Sequence, residues 1–202
     1  MNLQAAVDEF LHYTQIEKNC SEHTYRAYAF DLHVFTDFVR KIYDCEDLTV
    51  LTHSTARRFV QDQMIVHRCR TRTMQRRISC LKSFCKFCLK ERWIESDFMA
   101  GIPAPRTDRK LPKYMRWSDV KQLFEYLEHQ DHPLALRNET VFKLLATTGL
   151  RRQEVVDLKW RQINLEESTL LVFGKGKKER LLPLRSMIVG LLRRYKESLE
   201  SH

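Results

Sequence analysis

Apolar side chains recur every three or four residues through most of positions 1–100, which is the spacing of an α-helix with one buried face. The two clearest stripes contain Tyr25, Tyr28, Leu32, Phe35 and Val39, and then Met74, Ile78, Leu81, Cys85, Cys88 and Leu89. Ser21 precedes the first stripe and is a typical N-cap residue. Two shorter stripes, over 3–16 and after Ser54, complete the pattern. It predicts a small helical bundle over residues 1–100.

The period is interrupted at residues 101–115, which contain three prolines and one glycine and are predicted to form a basic linker. Helices are then expected over 119–129, with Ser118 as the N-cap, over 135–148 and over 151–159. From residue 163 the period changes from 3.6 to 2, which predicts short antiparallel strands at 163–165, 169–173 and 180–184. A last amphipathic helix spans Met187 to Tyr195. The predicted fold class is mainly α with a small antiparallel β-sheet.

Positive charge is concentrated in one short segment of the chain. Residues 67–92 contain nine Lys or Arg and one acidic residue, whereas residues 1–66 contain six basic and ten acidic residues. Charge runs usually mark a solvated helix face, but so local an excess favours a surface that meets a polyanion. We therefore predict that this segment binds nucleic acid.

Six cysteines are present, and Cys85 and Cys88 form a C-x-x-C. A zinc site needs a second pair of ligands at suitable spacing, and none is evident. Both residues fall on the apolar stripe of a predicted helix, so we interpret them as buried, reduced thiols. No cofactor or metal is expected.

No apolar run approaches the ~20 residues that a membrane span requires, and the first 15 residues lack the basic-then-apolar order of a signal peptide. The sequence thus predicts a soluble, cytoplasmic protein without a membrane partner.

Two further motifs stand out in the second half of the chain. Arg151 follows Thr148-Gly149-Leu150 directly, with Glu154 three residues beyond it. Lys175 lies between two glycines in GKGKK, at the expected tip of a hairpin, where glycine allows a tight turn and close approach to a ligand. The spacing is not that of a phosphate-binding P-loop. Taken alone, the second motif would be interpreted as a solvated hairpin loop.

Taken together, these segments resemble the tyrosine recombinases, or phage integrase family, and especially their Xer-like members. T-G-L-R-x-x-E-x-x-x-L matches residues 148–158, and the strand–G-K-G-x-K-x-R–strand hairpin matches residues 169–184. S-x-x-T-x-x-x-Y-x-x-D-L-x-x-F matches residues 21–35. The resemblance implies a helical core-binding (SAM-like) domain over 1–100, a linker over 101–115 and part of the catalytic domain over 116–202.

The resemblance also implies site residues and partners. Arg151 would bind the scissile phosphate, because a guanidinium can bind two phosphate oxygens at once, and Lys175 would be the general acid for the 5′-hydroxyl leaving group. Glu154 would brace the arginine helix. Double-stranded DNA and other recombinase protomers are the implied partners. The expected DNA-contacting residues are Thr24, Arg68, Arg70, Arg72, Arg76, Arg77, Lys82, Lys86, Arg152, Lys177 and Lys178.

One departure from the family pattern bears on activity. The family also uses a His/Lys-x-x-Arg box, another His or Trp, and a tyrosine nucleophile that forms a 3′-phosphotyrosyl link. No H-x-x-R follows Lys175, and Tyr195 is the only later tyrosine; its place on an apolar stripe predicts a core role. Tyr114 and Tyr126 precede the motifs. We therefore expect the chain to bind DNA without cleaving it.

Three interpretations remain open from the sequence: a fragment of a complete recombinase, a truncated relative that competes with or regulates an intact recombinase, and a decayed gene product. A type IB topoisomerase shares the Arg/Lys chemistry, but the N-terminal helical domain argues against it.

Overall fold

The computed structural model describes residues 1–107, 111, 113–174 and 178–200. The chain forms two compact units, Met1–Lys110 and Leu111–His202. Among the described residues, the named elements of the first unit are helices, and the second unit combines helices with a small sheet. Each unit has its own cluster of buried apolar side chains.

In the described part of the first unit there are four α-helices. They are α1 (Leu3–Ile16), α2 (Glu22–Tyr43), α3 (His53–Gln61) and α4 (Thr71–Lys90). Ser21 caps α2 as predicted, because its Oγ accepts a hydrogen bond from the Thr24 N–H at 3.4 Å. Asn2 and Thr52 cap α1 and α3 in the same way. A π-helical segment, Asp62–Val66, continues α3 and was not predicted.

Aromatic side chains fill the core of the first unit. Phe10, Phe35, Phe59 and Phe84 have no exposed surface. The rings of Phe10 and Phe84 join α1 to α4 at a centroid distance of 5.5 Å, and those of Phe35 and Phe59 join α2 to α3 at 5.1 Å. Full burial of one such side chain stabilises a fold by roughly 1.5–3 kcal/mol.

The two thiols of the C-x-x-C motif belong to this core. Cys85 and Cys88 are fully buried, which confirms the interpretation of the motif as packed thiols. Burial raises the pKa of each thiol to about 12. Within the ranges that the structure describes, no group of three or more His, Cys, Asp or Glu side chains gathers into a metal site.

Within the described residues, the second unit contains four α-helices and one three-stranded antiparallel sheet. They are α5 (Trp117–Glu128), α6 (Ala135–Thr148), α7 (Arg152–Val156), β1 (Ile163–Asn164), β2 (Thr169–Phe173), β3 (Glu179–Pro183) and α8 (Ser186–Glu200). The predicted cap of α5 is wrong: the helix begins at Trp117, so Ser118 lies in its first turn. Arg116 occupies the cap position and donates its N–H to Asp119 Oδ2 at 3.2 Å.

The sheet has the order β1-β2-β3, and Leu170 of β2 pairs with Ile163 on one side and Leu182 on the other. Leu170 and Val172 point into the core beside α8, whose Ile188 is also buried. Successive side chains of a strand point to opposite faces, so Leu170 and Val172 share the buried face. Every helix in the described ranges is too short or too polar to span a lipid bilayer.

Candidate nucleic-acid interface

One face of α4 is exposed and basic. Its apolar stripe is buried against α1 and α2, and the opposite side carries Arg72, Lys82 and Lys86, all exposed. Arg76 lies on the same side with its side chain 40% exposed. These four residues, Arg72, Arg76, Lys82 and Lys86, are referred to below as the basic stripe. Their positions lie within about a third of the helix circumference at 3.6 residues per turn.

Arg77 is placed differently from the expectation that it contacts DNA. Its side chain is only 11% exposed, and its Nε lies 3.5 Å from Oδ1 of the fully buried Asp31. Its guanidinium also donates to the side-chain oxygen of buried Gln63. The cause is the helical angle: position 77 borders the stripe formed by Met74, Ile78 and Leu81 and not the solvated side.

Asp31 joins α2 to α4 at this point. Arg76 donates to Asp31 Oδ2 at 2.6 Å and to the backbone oxygen of Ala27 at 3.0 Å. Burial raises the pKa of Asp31, and the charges and hydrogen bonds of Arg76 and Arg77 act in the opposite direction. A buried carboxylate is tolerated because two guanidinium groups face it. Arg76 thus binds a buried carboxylate and still exposes part of its side chain to solvent.

The other predicted contacts of the first unit lie beside the ends of helices. Arg68 and Arg70 are exposed in the segment that leads into α4, and Arg68 has a left-handed φ of 48°. Thr24 is half-buried in the first turn of α2, where its hydroxyl lies 3.0 Å from that of Ser21. Contacts of these three residues with DNA stay predictions.

The backbone turn before Arg151 follows directly from Gly149. Helix α6 ends at Thr148, and Gly149 adopts a left-handed φ of 65° while its N–H donates to Leu145 O at 3.2 Å. A residue with a Cβ is strained there, which explains the glycine. Leu150 is then buried in the second core, and Arg151 emerges in extended backbone at the N-cap of α7.

A buried ion pair fixes α6 against α5. Lys143 of α6 is only 3% exposed and donates to Glu139 at 2.8 Å and to Glu128 of α5. Removing either carboxylate would leave a buried cation with less compensation. The helix that carries the Thr-Gly-Leu-Arg turn is therefore held in place by charge as well as by apolar packing.

Arg151 is largely exposed, with 74% of its side chain accessible. Its backbone N–H donates to Glu154 Oε2 at 2.8 Å, and one guanidinium N–H donates to Glu154 Oε1 at 2.9 Å. Within the part of the chain that the structure describes, the remaining guanidinium N–H groups of Arg151 have no protein acceptor. This arrangement can present a fixed cation to an anionic ligand.

Arg180 completes the arrangement, and its part in the site was not foreseen from the sequence. It comes from β3 and makes a bidentate pair with Glu154, at 2.9 Å to Oε1 and 2.7 Å to Oε2. Glu154 itself is only 7% exposed. The three residues Arg151, Glu154 and Arg180 are called the clasp below. The available signal was the arginine of the G-K-G-x-K-x-R match, but nothing in the sequence indicated its partner.

Four N–H donors hold the Glu154 carboxylate in its charged form. Hydrogen bonds from Arg180 and then from the backbone of Arg151 lower the pKa of Glu154 to about 2. At neutral pH the clasp therefore contains two cations and one anion.

The hairpin that carries GKGKK begins beside the clasp. The Gly174 N–H donates to Lys178 O at 2.7 Å. A Cβ built at Gly174 would lie 3.4 Å from an Arg180 nitrogen and 4.0 Å from a Glu154 oxygen. Lys178 is exposed. Lys175 and Lys177, the predicted general acid and a predicted DNA contact, lie outside the described residues.

Two other residues singled out in the sequence, one expected at the site and one in the core, are described. Arg152 is exposed in the first turn of α7. Tyr195 is half-buried on α8, with its ring 6.1 Å from that of Trp160. Packing against Trp160 agrees with the predicted packing role, although the side chain is not fully enclosed.

Family profiles match both units of the chain. The profile described as "Phage integrase, N-terminal SAM-like domain" matches residues 7–92, and the one described as "Phage integrase family" matches residues 113–201. The chain is also 32% identical over 213 residues to the tyrosine recombinase XerC of Xanthomonas axonopodis pv. citri, covering 98% of this chain and 68% of that protein.

A second relative is the tyrosine recombinase XerC of Halalkalibacterium halodurans, 32% identical over 192 residues. That match covers 95% of this chain and 62% of the relative, so the chain spans about three fifths of its length.

Solved structures share the fold. A XerH site-specific recombinase bound to a palindromic difH substrate matches with a TM-score of 0.68 and 20% identity, over 96% of this chain and 58% of that one. A lambda integrase dimer bound to a COC′ core site matches with a TM-score of 0.69 and 16% identity, over 98% and 70%. At these identities the likeness establishes the architecture, whereas the profiles and the XerC relatives establish the family: the chain belongs to the tyrosine recombinases of the phage integrase family.

Proposed function

We propose that this chain supplies the duplex-DNA-binding and phosphate-holding parts of a site-specific tyrosine recombinase that acts with other recombinase protomers in the cytoplasm. Residues 1–100 form the core-binding domain, 101–115 the linker and 116–202 part of the catalytic domain. The relatives bound to DNA and the dimeric lambda integrase support the choice of partners.

The observation that carries the proposal is the placement of Arg151. Its guanidinium is exposed while its backbone is fixed by Glu154, so the position of the cation is set before a ligand arrives. A preorganised guanidinium can bind non-bridging phosphate oxygens and stabilise the charge that develops when phosphorus becomes five-coordinate. The basic stripe adds backbone contacts that position the duplex without reading its sequence.

The reaction of the family divides the remaining work between two groups. A tyrosine oxygen attacks phosphorus and forms a phosphotyrosyl ester at the 3′ end, while the bond to O5′ breaks. The leaving oxygen needs a proton, and we assign its donation to Lys175. A positioned acid of this kind contributes typically ~10²–10⁴-fold.

Residues 1–202 contain no residue that we assign as the nucleophile. Tyr195 packs beside Trp160 on α8, and its packing there supports a role in the fold. We therefore expect the 202-residue polypeptide to bind DNA and to leave it uncut, because electrostatic stabilisation of phosphate without an attacking group gives only binding.

The test begins with selection of a bound site from a pool of randomised duplexes. The selected duplex is then prepared with a nick that traps covalent intermediates, incubated with the polypeptide and resolved on a denaturing gel. A gel shift without a covalent band is the expected result. A covalent band that disappears in Tyr195→Phe would overturn both the inactivity and the role of Tyr195.

The absence of a gel shift with any duplex would overturn the DNA-binding proposal itself. Arg151→Ala is the matched variant for the phosphate contact, and it is expected to weaken binding while leaving the fold unchanged. Arg194→Met, which removes an exposed charge from α8, is the control and is expected to bind as the unmodified chain does.

A competitor of an intact recombinase is the second candidate function. The observation that favours it is that the clasp and the basic stripe are both formed, while the only tyrosine after the hairpin is packed against Trp160. Adding this polypeptide to a cleavage reaction of an intact XerC-type recombinase on the selected duplex would then inhibit cleavage. Arg151→Ala should inhibit less, whereas an unchanged cleavage rate would exclude competition.

A further inference from the structure

The clasp contains a competition between two arginines for one carboxylate. Glu154 Oε1 accepts from Arg151 Nη1 and from Arg180 Nη1, each at 2.9 Å. Oε2 accepts from the Arg151 backbone at 2.8 Å and from Arg180 Nη2 at 2.7 Å. A carboxylate offers about four lone-pair sites, so these donors saturate it.

We propose that Arg180 is a positioning residue that holds the Glu154 carboxylate away from full pairing with Arg151 and so keeps the Arg151 guanidinium available to a DNA phosphate. This inference rests on the proposed function, in which Arg151 binds phosphate. It assigns to Arg180 a role through Glu154 and not through contact with the substrate.

Geometry supports the division of roles. Arg180 uses the fork of its guanidinium on both oxygens and is 35% exposed, whereas Arg151 gives a single guanidinium N–H and is 74% exposed. The bidentate geometry is the stronger one for a carboxylate. Arg180 therefore occupies the place that the side chain of Arg151 would otherwise take on the same two oxygens.

Charge supports it as well. With Arg180 present, the clasp carries two positive charges and one negative charge, which leaves one positive charge for a ligand. Without Arg180, Arg151 and Glu154 form a neutral pair, and a phosphate must compete with a carboxylate that is nearly enclosed by protein. In that neutral pair, the Glu154 carboxylate would offset the positive charge of Arg151 and would restrict the rotation of its guanidinium toward DNA.

The location of Arg180 links this effect to the hairpin. Arg180 pairs with Val172 in the β2-β3 ladder, and its Nη1 lies near Gly174 at the start of the GKGKK segment. The same guanidinium therefore lies beside Gly174 and pairs with the carboxylate that braces Arg151. Pairing of β2 with β3 therefore brings Arg180 to the Glu154 carboxylate.

The experiment compares salt dependence of binding to one fluorescent 30-base-pair duplex for five chains: unmodified, Arg151→Ala, Arg180→Met, Arg180→Met with Glu154→Gln, and the control Arg194→Met. Removal of one phosphate contact lowers the slope of log affinity against log salt by about 0.9. Arg151→Ala and Arg180→Met are each expected to show this decrease. The double variant is expected to regain the slope, because the neutral amide introduced by Glu154→Gln no longer captures Arg151.

If Arg180 had a purely structural role, the double variant would keep the lowered slope of Arg180→Met, since neither substitution restores the clasp. Equal slopes for Arg180→Met and the double variant would therefore overturn the inference. An unchanged slope in Arg151→Ala would instead overturn the phosphate role of Arg151 and hence the proposed function, so the two failures are distinguishable.

Folding of each variant is checked by circular dichroism before binding is measured. If Arg180→Met does not fold, Arg180→Lys and Arg180→Gln replace it. Lys keeps the charge and loses the fork, so it should retain more of the slope than Gln. Equal slopes for Lys and Gln would also count against the inference.

Discussion

At the scale of single residues, exposure separates arginines that are similar in the sequence. Arg72, Arg76 and Arg77 lie in one helix, yet Arg72 is exposed, Arg76 shares a buried anion, and Arg77 is enclosed. A run of basic residues is therefore not a uniform binding surface. Arg77 is therefore expected to control the stability of the first unit, whereas Arg72 is expected to control DNA affinity.

Arg77→Ala is expected to destabilise the first unit by about 3 kcal/mol, the lower end for breaking a buried ion pair, because Asp31 keeps its contact with Arg76. Urea unfolding followed by circular dichroism measures this decrease in stability. Arg72→Ala is the matched control and should change the free energy of unfolding by no more than about 0.5 kcal/mol. Equal effects of the two substitutions would contradict the placement of Arg77 in the core.

Glu154 gives a pH-dependent prediction for the second unit. Its pKa is about 2 in the folded chain and near 4.5 when unpaired, so folding favours the ionised form. The stabilisation is complete above about pH 4.5 and is lost as pH falls toward 2. The stability difference between the unmodified chain and Glu154→Gln should therefore shrink over that range in urea titrations at several pH values.

Glu125→Gln, on an exposed position of α5, serves as the control for this pH series. It is expected to give no comparable difference at any pH. A difference between the unmodified chain and Glu154→Gln that stays constant from pH 6 to pH 3 would show that the paired carboxylate does not stabilise the folded state.

At the scale of elements, the period of apolar residues was sufficient to predict α2, α4 and the sheet, because burial on one face imposes that period. The ends of the helices were harder to predict from the sequence. Ser21 was identified correctly, since its hydroxyl satisfies a free N–H of α2. Ser118 was not, since the Asp119 carboxylate receives the Arg116 N–H and moves the start of α5.

The clasp was only partly predictable for a related reason. Glu154 is three residues from Arg151, and that spacing suggests contact across one helical turn. Arg180 is 26 residues away from Glu154 and reaches it only after β3 has paired with β2. No local pattern encodes such a contact. The same holds for Gln63, which meets Arg77 through the π-helical segment after α3.

The basic stripe of α4 supports a prediction at this scale. Substitution of Arg72, Lys82 and Lys86 together with Ala should flatten the salt dependence of duplex binding, by up to about 0.9 in log–log slope for each phosphate that the variant no longer neutralises. Fluorescence anisotropy at several salt concentrations measures the slope. The helix should stay folded, because these side chains lie outside its buried stripe.

The control for this measurement is a triple variant that removes three positive charges from α2 and the segment before it. Its substitutions are Lys18→Ala, Arg26→Ala and Lys41→Ala. Their slope should exceed that of the stripe variant. If both triple variants bind with one slope, net charge and not the face of α4 determines the affinity.

At the scale of the whole molecule, the two buried clusters share no residue. Phe35→Ala in the first cluster is expected to cost about 3–5 kcal/mol and Leu170→Ala in the second about 2–5 kcal/mol. Differential scanning calorimetry should show that each substitution shifts one unfolding transition and leaves the other in place. A common shift of both transitions would show that the units unfold as one cooperative body.

The separation of the two clusters also has an evolutionary consequence. Where the two units unfold in separate transitions, a stabilising substitution near Phe35 raises the stability of the first unit only and leaves a destabilising one near Leu170 uncompensated. Selection therefore acts on two stability margins in one gene. Lineages can then change the basic stripe of the first unit while the sequence around the clasp stays the same, and tolerance of a substitution in one unit does not predict tolerance in the other.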